Sequence, residues 1–167
     1  LIFLADRLHL RKYGRPIVGD TYWAMKLGPV GSRVKRAAEL DRMPEEAFSY
    51  AKKYIRPIDE KKHHIESVKS PDLDLFSKTD LECLETVYAA FGDKDQFELK
   101  DITHEYPEWK KHIKELKTGK KRVQMNYDDF FADTEKNDPL FAQNKTDLNL
   151  AKESFDELQE VSAFFSR

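Results

Sequence analysis

The chain has little of what usually marks chemistry in a sequence. A single cysteine, Cys83, excludes an intramolecular disulfide framework and a cysteine-based zinc site, and suits a reducing compartment. Six glycines are scattered without a G-x-x-x-x-G-K-[ST] or G-x-G-x-x-G spacing, so no known phosphate-cradling loop is present. There is no G-x-S-x-G elbow around Ser32, and no H-E-x-x-H pair. No apolar run approaches the ~18 residues of a membrane span. The opening Leu1-Ile2-Phe3-Leu4-Ala5 is too short for a signal peptide, meets Asp6 and Arg7 at once, and reads as a helix entered part-way. An excess of one charge is also missing. Lys and Arg total 29 against 31 Asp and Glu, which excludes a bulk polyanion binder.

What is present is apolar mass and local charge bias. The 167 residues are 40% hydrophobic and 12% aromatic, enough for one domain with a real core. Residues 1–69 carry 15 basic and 9 acidic side chains, 110–122 carry 7 and 1, and 127–160 carry 3 and 10. An acidic tail of this kind is expected to be solvated or folded back on the basic stretch.

Leu1, Leu4 and Leu8 recur at helical spacing up to about Leu10, and Gly14, Pro16 and Gly19 then mark turns. Thr21 to Lys26 reads as a strand stopped by Gly28-Pro29-Val30-Gly31, followed by a helix capped by Ser32 and running to about Leu40. Pro44 suits the first position of another helix. Ile55 to Val68 predicts one or two edge strands. Ser77-Lys78-Thr79-Asp80 is a capping box, with Leu81, Leu84, Tyr88 and Phe91 as the core stripe and Gly92 as the left-handed stop. Residues 119–122 predict a basic loop. A last amphipathic helix over 147–165, capped by Thr146 or Asp147, is expected to bury Leu148, Phe155, Leu158 and Phe165 on its own domain. The fold class is therefore α+β, mostly α-helical, a compact helical domain with a small antiparallel β-sheet. The domain reading is 1–117, followed by a 118–167 extension packed on it.

Candidate sites are few. His63 and His64 are adjacent and diverge on a strand, and Pro107 separates His104 from His112, so no metal or other cofactor is expected. Cys83 sits inside a helix as a packing residue. Lys110, Lys111, Lys114 and Lys117 beside Trp109 form a face able to meet phosphates, which keeps open a DNA-binding or regulatory helical module. Tyr22, Trp23, Lys26 and Leu27, bounded by Gly-Pro turns, are the candidate partner-binding residues, since Tyr and Trp are favoured at hot spots.

One stretch is long and specific. Leu4-Ala5-Asp6-Arg7-Leu8-His9-Leu10-Arg11-Lys12-Tyr13-Gly14-Arg15-Pro16-Ile17, then Gly19-Asp20, then Ala24-Met25-Lys26-Leu27-Gly28-Pro29-Val30, resembles the Panacea domain of the SocA-like antitoxin family, also met among phage-associated proteins. Leu99, Thr103-His104-Glu105 and Trp109-Lys110 resemble its later helical motif. The likeness covers about two-thirds of the chain and leaves the tail from Thr118 outside. It implies a cytoplasmic, non-enzymatic antitoxin that neutralises a cognate protein toxin by direct contact, in some members with a protease. The expected partners are that toxin and, as a small oligomer, further copies of the chain. Asp6 and His9, three apart on one helical face, are placed to hydrogen-bond locally or to touch a partner, and His9 is expected to be a structural residue that ties down neighbouring backbone.

Overall fold

Helix α1 (Ile2–Tyr13) has no solvent face along most of its length: every residue from Phe3 to Arg11 is buried. A helix with Asp6, Arg7, His9 and Arg11 in such a position must have each charge answered by another element. The computed structural model, which describes residues 1–59, 64–135 and 138–165, shows how the rest of the chain does this. His63 lies outside the described residues.

After α1 come β1 (Tyr22–Met25), β2 (Gly28–Gly31), α2 (Ser32–Glu39), α3 (Glu45–Ala51), β3 (Ile55–Pro57) and β4 (Ile65–Ser67). A 3-10 turn at Leu73–Leu75 leads to α4 (Lys78–Phe91), α5 (Gln96–Thr103), α6 (Pro107–Lys110) and α7 (Ile113–Lys117). Then β5 (Arg122–Gln124), a 3-10 helix at Tyr127–Phe131 and α8 (Lys145–Phe165) complete the chain. The fold is α+β and mostly helical, with small antiparallel sheets, as the sequence predicts. Among the described residues no helix is long and apolar enough to cross a membrane.

Two strands depart from expectation. Gly28–Gly31 is not a stop but β2, paired antiparallel with β1 as Tyr22↔Gly31 and Met25↔Gly28. Pro29 is tolerated because β2 is an edge of the β2-β1-β5 sheet, where a missing N–H breaks no ladder. Arg122, expected at the end of a basic loop, instead begins β5 (Arg122–Gln124) on the other side of β1, in register Trp23↔Gln124 and Met25↔Arg122. The pair β3–β4 forms as predicted, with Ile55 opposite Ser67.

Helix α4 carries its capping box, with Ser77 Oγ accepting from Asp80 N–H and Asp80 Oδ2 from Ser77 N–H. It packs on α1, but its buried stripe is Asp80, Cys83, Val87 and Phe91. Leu81 and Leu84 are only partly buried and Tyr88 is 69% exposed. The helix is rotated because Asp80 is drawn inward to Arg15 at 2.8 Å and His9 at 3.1 Å. Gly92 caps it in right-handed, not left-handed, conformation.

Helix α1 ends at Gly14, which is left-handed at φ 71° and donates to Leu10 O. A Cβ here would stand 2.4 Å from the carbonyl oxygen of Ala151, so α8 crosses in direct backbone contact. Asn144, rather than Thr146 or Asp147, caps α8 by accepting from Asp147 N–H. The helix buries Ala151 and Phe155 and then leaves the body, with Leu158, Val161, Phe164 and Phe165 open to solvent. Self-packing thus holds for its first half only.

Candidate partner-binding face

The signature residues of α1 look inward. Asp6 accepts from Val18 N–H (2.8 Å), Gly19 N–H (3.1 Å) and the Tyr22 hydroxyl (2.9 Å), fixing the loop into β1. Burial nonetheless pushes its carboxyl above the usual range. Asp20 takes the N–H groups of Arg33 and Val34, capping α2 from twelve residues upstream. Ser32, expected in that role, instead accepts from Trp23 Nε1 at 2.7 Å. His9 Nδ1 donates to Arg15 O (2.7 Å) and Nε2 faces Thr79 Oγ1 (2.9 Å), so both His9 and Asp6 hold local backbone as expected.

Burial lowers the His9 pKa, outweighing the hydrogen bond to the Arg15 carbonyl and the pull of Asp80 and Asp6, and the Arg15 guanidinium adds to the lowering. The unfolded chain therefore binds a proton at this site that the folded chain refuses. Stability should fall as pH drops through the ordinary histidine value of ~6.5. Thermal melts between about pH 7.5 and 5.5 should show that loss, and His9→Gln should show less of it. A variant as acid-sensitive as the parent would contradict this assignment.

The outer face of the sheet is different in character. The twofold alternation of β1 sends Tyr22 and Ala24 into the core and Trp23 and Met25 outward. Tyr22 is thereby withdrawn from the four candidate residues. It sits edge-on to Phe3 at 5.4 Å and supports the face from beneath. Trp23, Lys26 and Leu27 remain on the outside, with Leu27, 75% exposed, at the hairpin tip.

Around Trp23 the fold assembles residues that are far apart in sequence. The Arg122 guanidinium lies over the indole at 4.4 Å, brought there by β5. Lys35, Arg36 and Arg42 join it at the rim of a cavity of about 490 Å³ floored by Trp23, Met25 and Val30. Glu39 and Asp41 also line it, with Glu39 held by Lys35 at 2.5 Å. The rim is thus net basic by two charges, four cations against two carboxylates. Leu40 and Arg42 both have positive φ, 47° and 49°, so the α2–α3 turn holds two non-glycine residues in left-handed conformation beside the cavity. An apolar floor, an indole and arginines are the composition of a protein-binding hot spot. Sequence reasoning missed Arg122, Arg42, Lys35 and Arg36. Their grouping depends on the β1–β5 pairing, and a three-residue strand with one apolar side chain carries no readable period.

Two of the four lysines in the candidate phosphate-meeting face, Lys110 and Lys111, are paired with acidic residues, while Lys114 and Lys117 stay exposed. Lys110 reaches Glu135 at 2.8 Å, Lys111 pairs with Asp129, and Lys120 pairs with Glu115. The acidic segment is folded back against this stretch. Among the described residues no group of three or more His, Cys, Asp or Glu is placed to hold a metal ion. His104 is stacked on Trp109 and His112 turns its Nδ1 to Glu115. Cys83 is buried in the core, and burial pushes its thiol pKa up.

Residues 1–110 match the family model for the SocA-like antitoxin, Panacea domain. The match takes in α1, the hairpin and the cap of α2. The chain belongs to the SocA-like antitoxin family. Comparison with curated proteins and with solved structures finds no match. The Panacea residues of the N-terminal stretch have two distinct places in the fold. Asp6, His9, Gly14 and Asp20 fix backbone, while Met25, Lys26 and Leu27 lie on the outward side of the hairpin.

Proposed function

We propose that this Panacea protein neutralises a cognate protein toxin by direct contact through the face around Trp23. Family membership supports the antitoxin role. The observation that supports this face is the half-buried indole under Arg122, beside a cavity with an apolar floor and a basic rim. The partner it suits presents apolar side chains bordered by acidic ones. The role is that of a binding platform and not a catalyst. A toxin acting inside the cell must be met there, so the protein works in the cytoplasm.

Trp23→Ala is expected to weaken toxin binding by about 30-fold or more, a hot-spot loss of about 2 kcal/mol. The test is growth rescue and titration calorimetry with the toxin encoded in the adjacent reading frame, on variants matched for melting temperature. Tyr22→Phe, with its hydroxyl turned to Asp6 in the core, serves as a control that leaves binding unchanged. Undiminished neutralisation by folded Trp23→Ala would remove this face from the function.

A further inference from the structure

The outer half of α8 exposes a run of large apolar side chains. Leu158, Val161 and Phe165 fall at i, i+3 and i+7 and continue the stripe of Ala151 and Phe155 beyond the body of the domain. They are 49%, 54% and 82% exposed, and Phe164 beside them is 73% exposed. Four large apolar side chains within eight residues are too many to leave in water without a use.

We infer that the tip of α8 docks, in a second copy of the chain, into the basic-rimmed cavity at Trp23. Charge argues against two other surfaces and for this one. Beyond Phe155 the polar side of α8 carries Asp156, Glu157 and Glu160 and, through Phe165, no Lys or Arg; Asp156 is paired with Lys152 one turn back, which leaves Glu157 and Glu160 as its acidic end. Tail-to-tail pairing of two such helices would set carboxylates against carboxylates. The apolar cavity of about 320 Å³ between Leu1, Ile2, Leu84 and Tyr88 has Glu85 as its one charged side chain, which again opposes an acidic helix. The Trp23 cavity has the opposite sign. Its floor of Trp23, Met25 and Val30 receives Phe164 or Phe165, and Arg36, Arg42 and Arg122 face the Glu157 and Glu160 carboxylates. This contact needs no toxin and stands apart from the neutralisation role. If both hold, tail and toxin compete for one face, and the free antitoxin covers its own binding site.

Sedimentation equilibrium of the full chain over a range of concentrations tests this. Mass should rise from 19.6 kDa to twice that value. Phe164→Ser with Phe165→Ser should stay monomeric over the same range, with an unchanged melting temperature. Arg42→Glu with Arg122→Glu should weaken association at least tenfold, and so should Glu157→Arg with Glu160→Arg. Mixing the two charge-reversed proteins should restore it. A chain that remains monomeric throughout overturns the inference. So does association that survives charge reversal at either face, which would reveal tail-to-tail or other pairing.

Discussion

Replacing Arg7 with methionine is expected to destabilise the protein by about 3–5 kcal/mol, the range for breaking a buried ion pair from one side. Arg7 and Glu108 are both sequestered, with Nε to Oε1 at 2.7 Å. The guanidinium also lies over the rings of Tyr106 and Phe141, at 4.4 and 4.9 Å, and donates to Ala132 O. Without it Glu108 is a core carboxylate that has lost its hydrogen-bonded counter-ion and keeps only the more distant charge of Arg11, and burial already holds its pKa above the ordinary range. Denaturant melts should therefore show two things. The loss should grow as pH rises above the ordinary carboxylate range, because removing Arg7 raises the folded-state pKa of Glu108 further and the variant's folded state holds its proton to higher pH than the parent's. Arg7→Met with Glu108→Leu should recover most of the stability, since replacing both partners removes the uncompensated charge. A cost below about 1 kcal/mol for Arg7→Met would show that the pair contributes little.

Ending the chain at residue 117 is expected to abolish cooperative folding, whereas ending it at 156 should not. The truncation at 117 removes β5 from the sheet and takes Phe130, Phe131, Phe141 and Phe155 out of the core. Each buried Phe contributes about 3–5 kcal/mol against Ala, and the four together match or exceed the ~5–15 kcal/mol that holds a domain folded. It also strips Arg11 of its acceptors, the carbonyls of Phe130, Ala132 and Phe141 at 3.0 Å each. We propose on these grounds that the segment from 118 to 155 is an integral part of the folding unit and not an appendage to a 1–117 domain. Circular dichroism melts of residues 1–117 and 1–156 measure this. A sharp transition in the shorter chain would contradict it.

Local signals were the legible ones. The capping box of α4, the period-3.6 stripe of α1 and the β-prone run at Tyr22 each sit within one element and were read correctly. Signals that depend on distant partners were not. Nothing within α1 marks Arg7 and Arg11 as buried, because their acceptors lie more than a hundred residues away. The cap of α2 comes from Asp20, across the whole hairpin, so Ser32 took the credit by position. The rotation of α4, which exposes Tyr88, follows from His9 and Arg15 pulling on Asp80, and no pattern within α4 contains that information. Of the candidate site, the hairpin was readable and its rim was not. No sequence pattern groups Lys35, Arg36 and Arg42, which come around Trp23 only once α2 packs beside the hairpin.

Side-chain footprinting by hydroxyl radicals tests the central claim most directly, because it reports access to the residues at issue. The chain, kept dilute enough to be monomeric, would be compared with its complex with toxin. Trp23, Met25 and Leu27 should lose most of their reactivity in the complex, while Tyr88 and Phe97, exposed on α4 and α5, should keep theirs. Protection at Tyr88 or Phe97 with Trp23 and Leu27 still reactive would place the toxin elsewhere and contradict the assignment of the binding face.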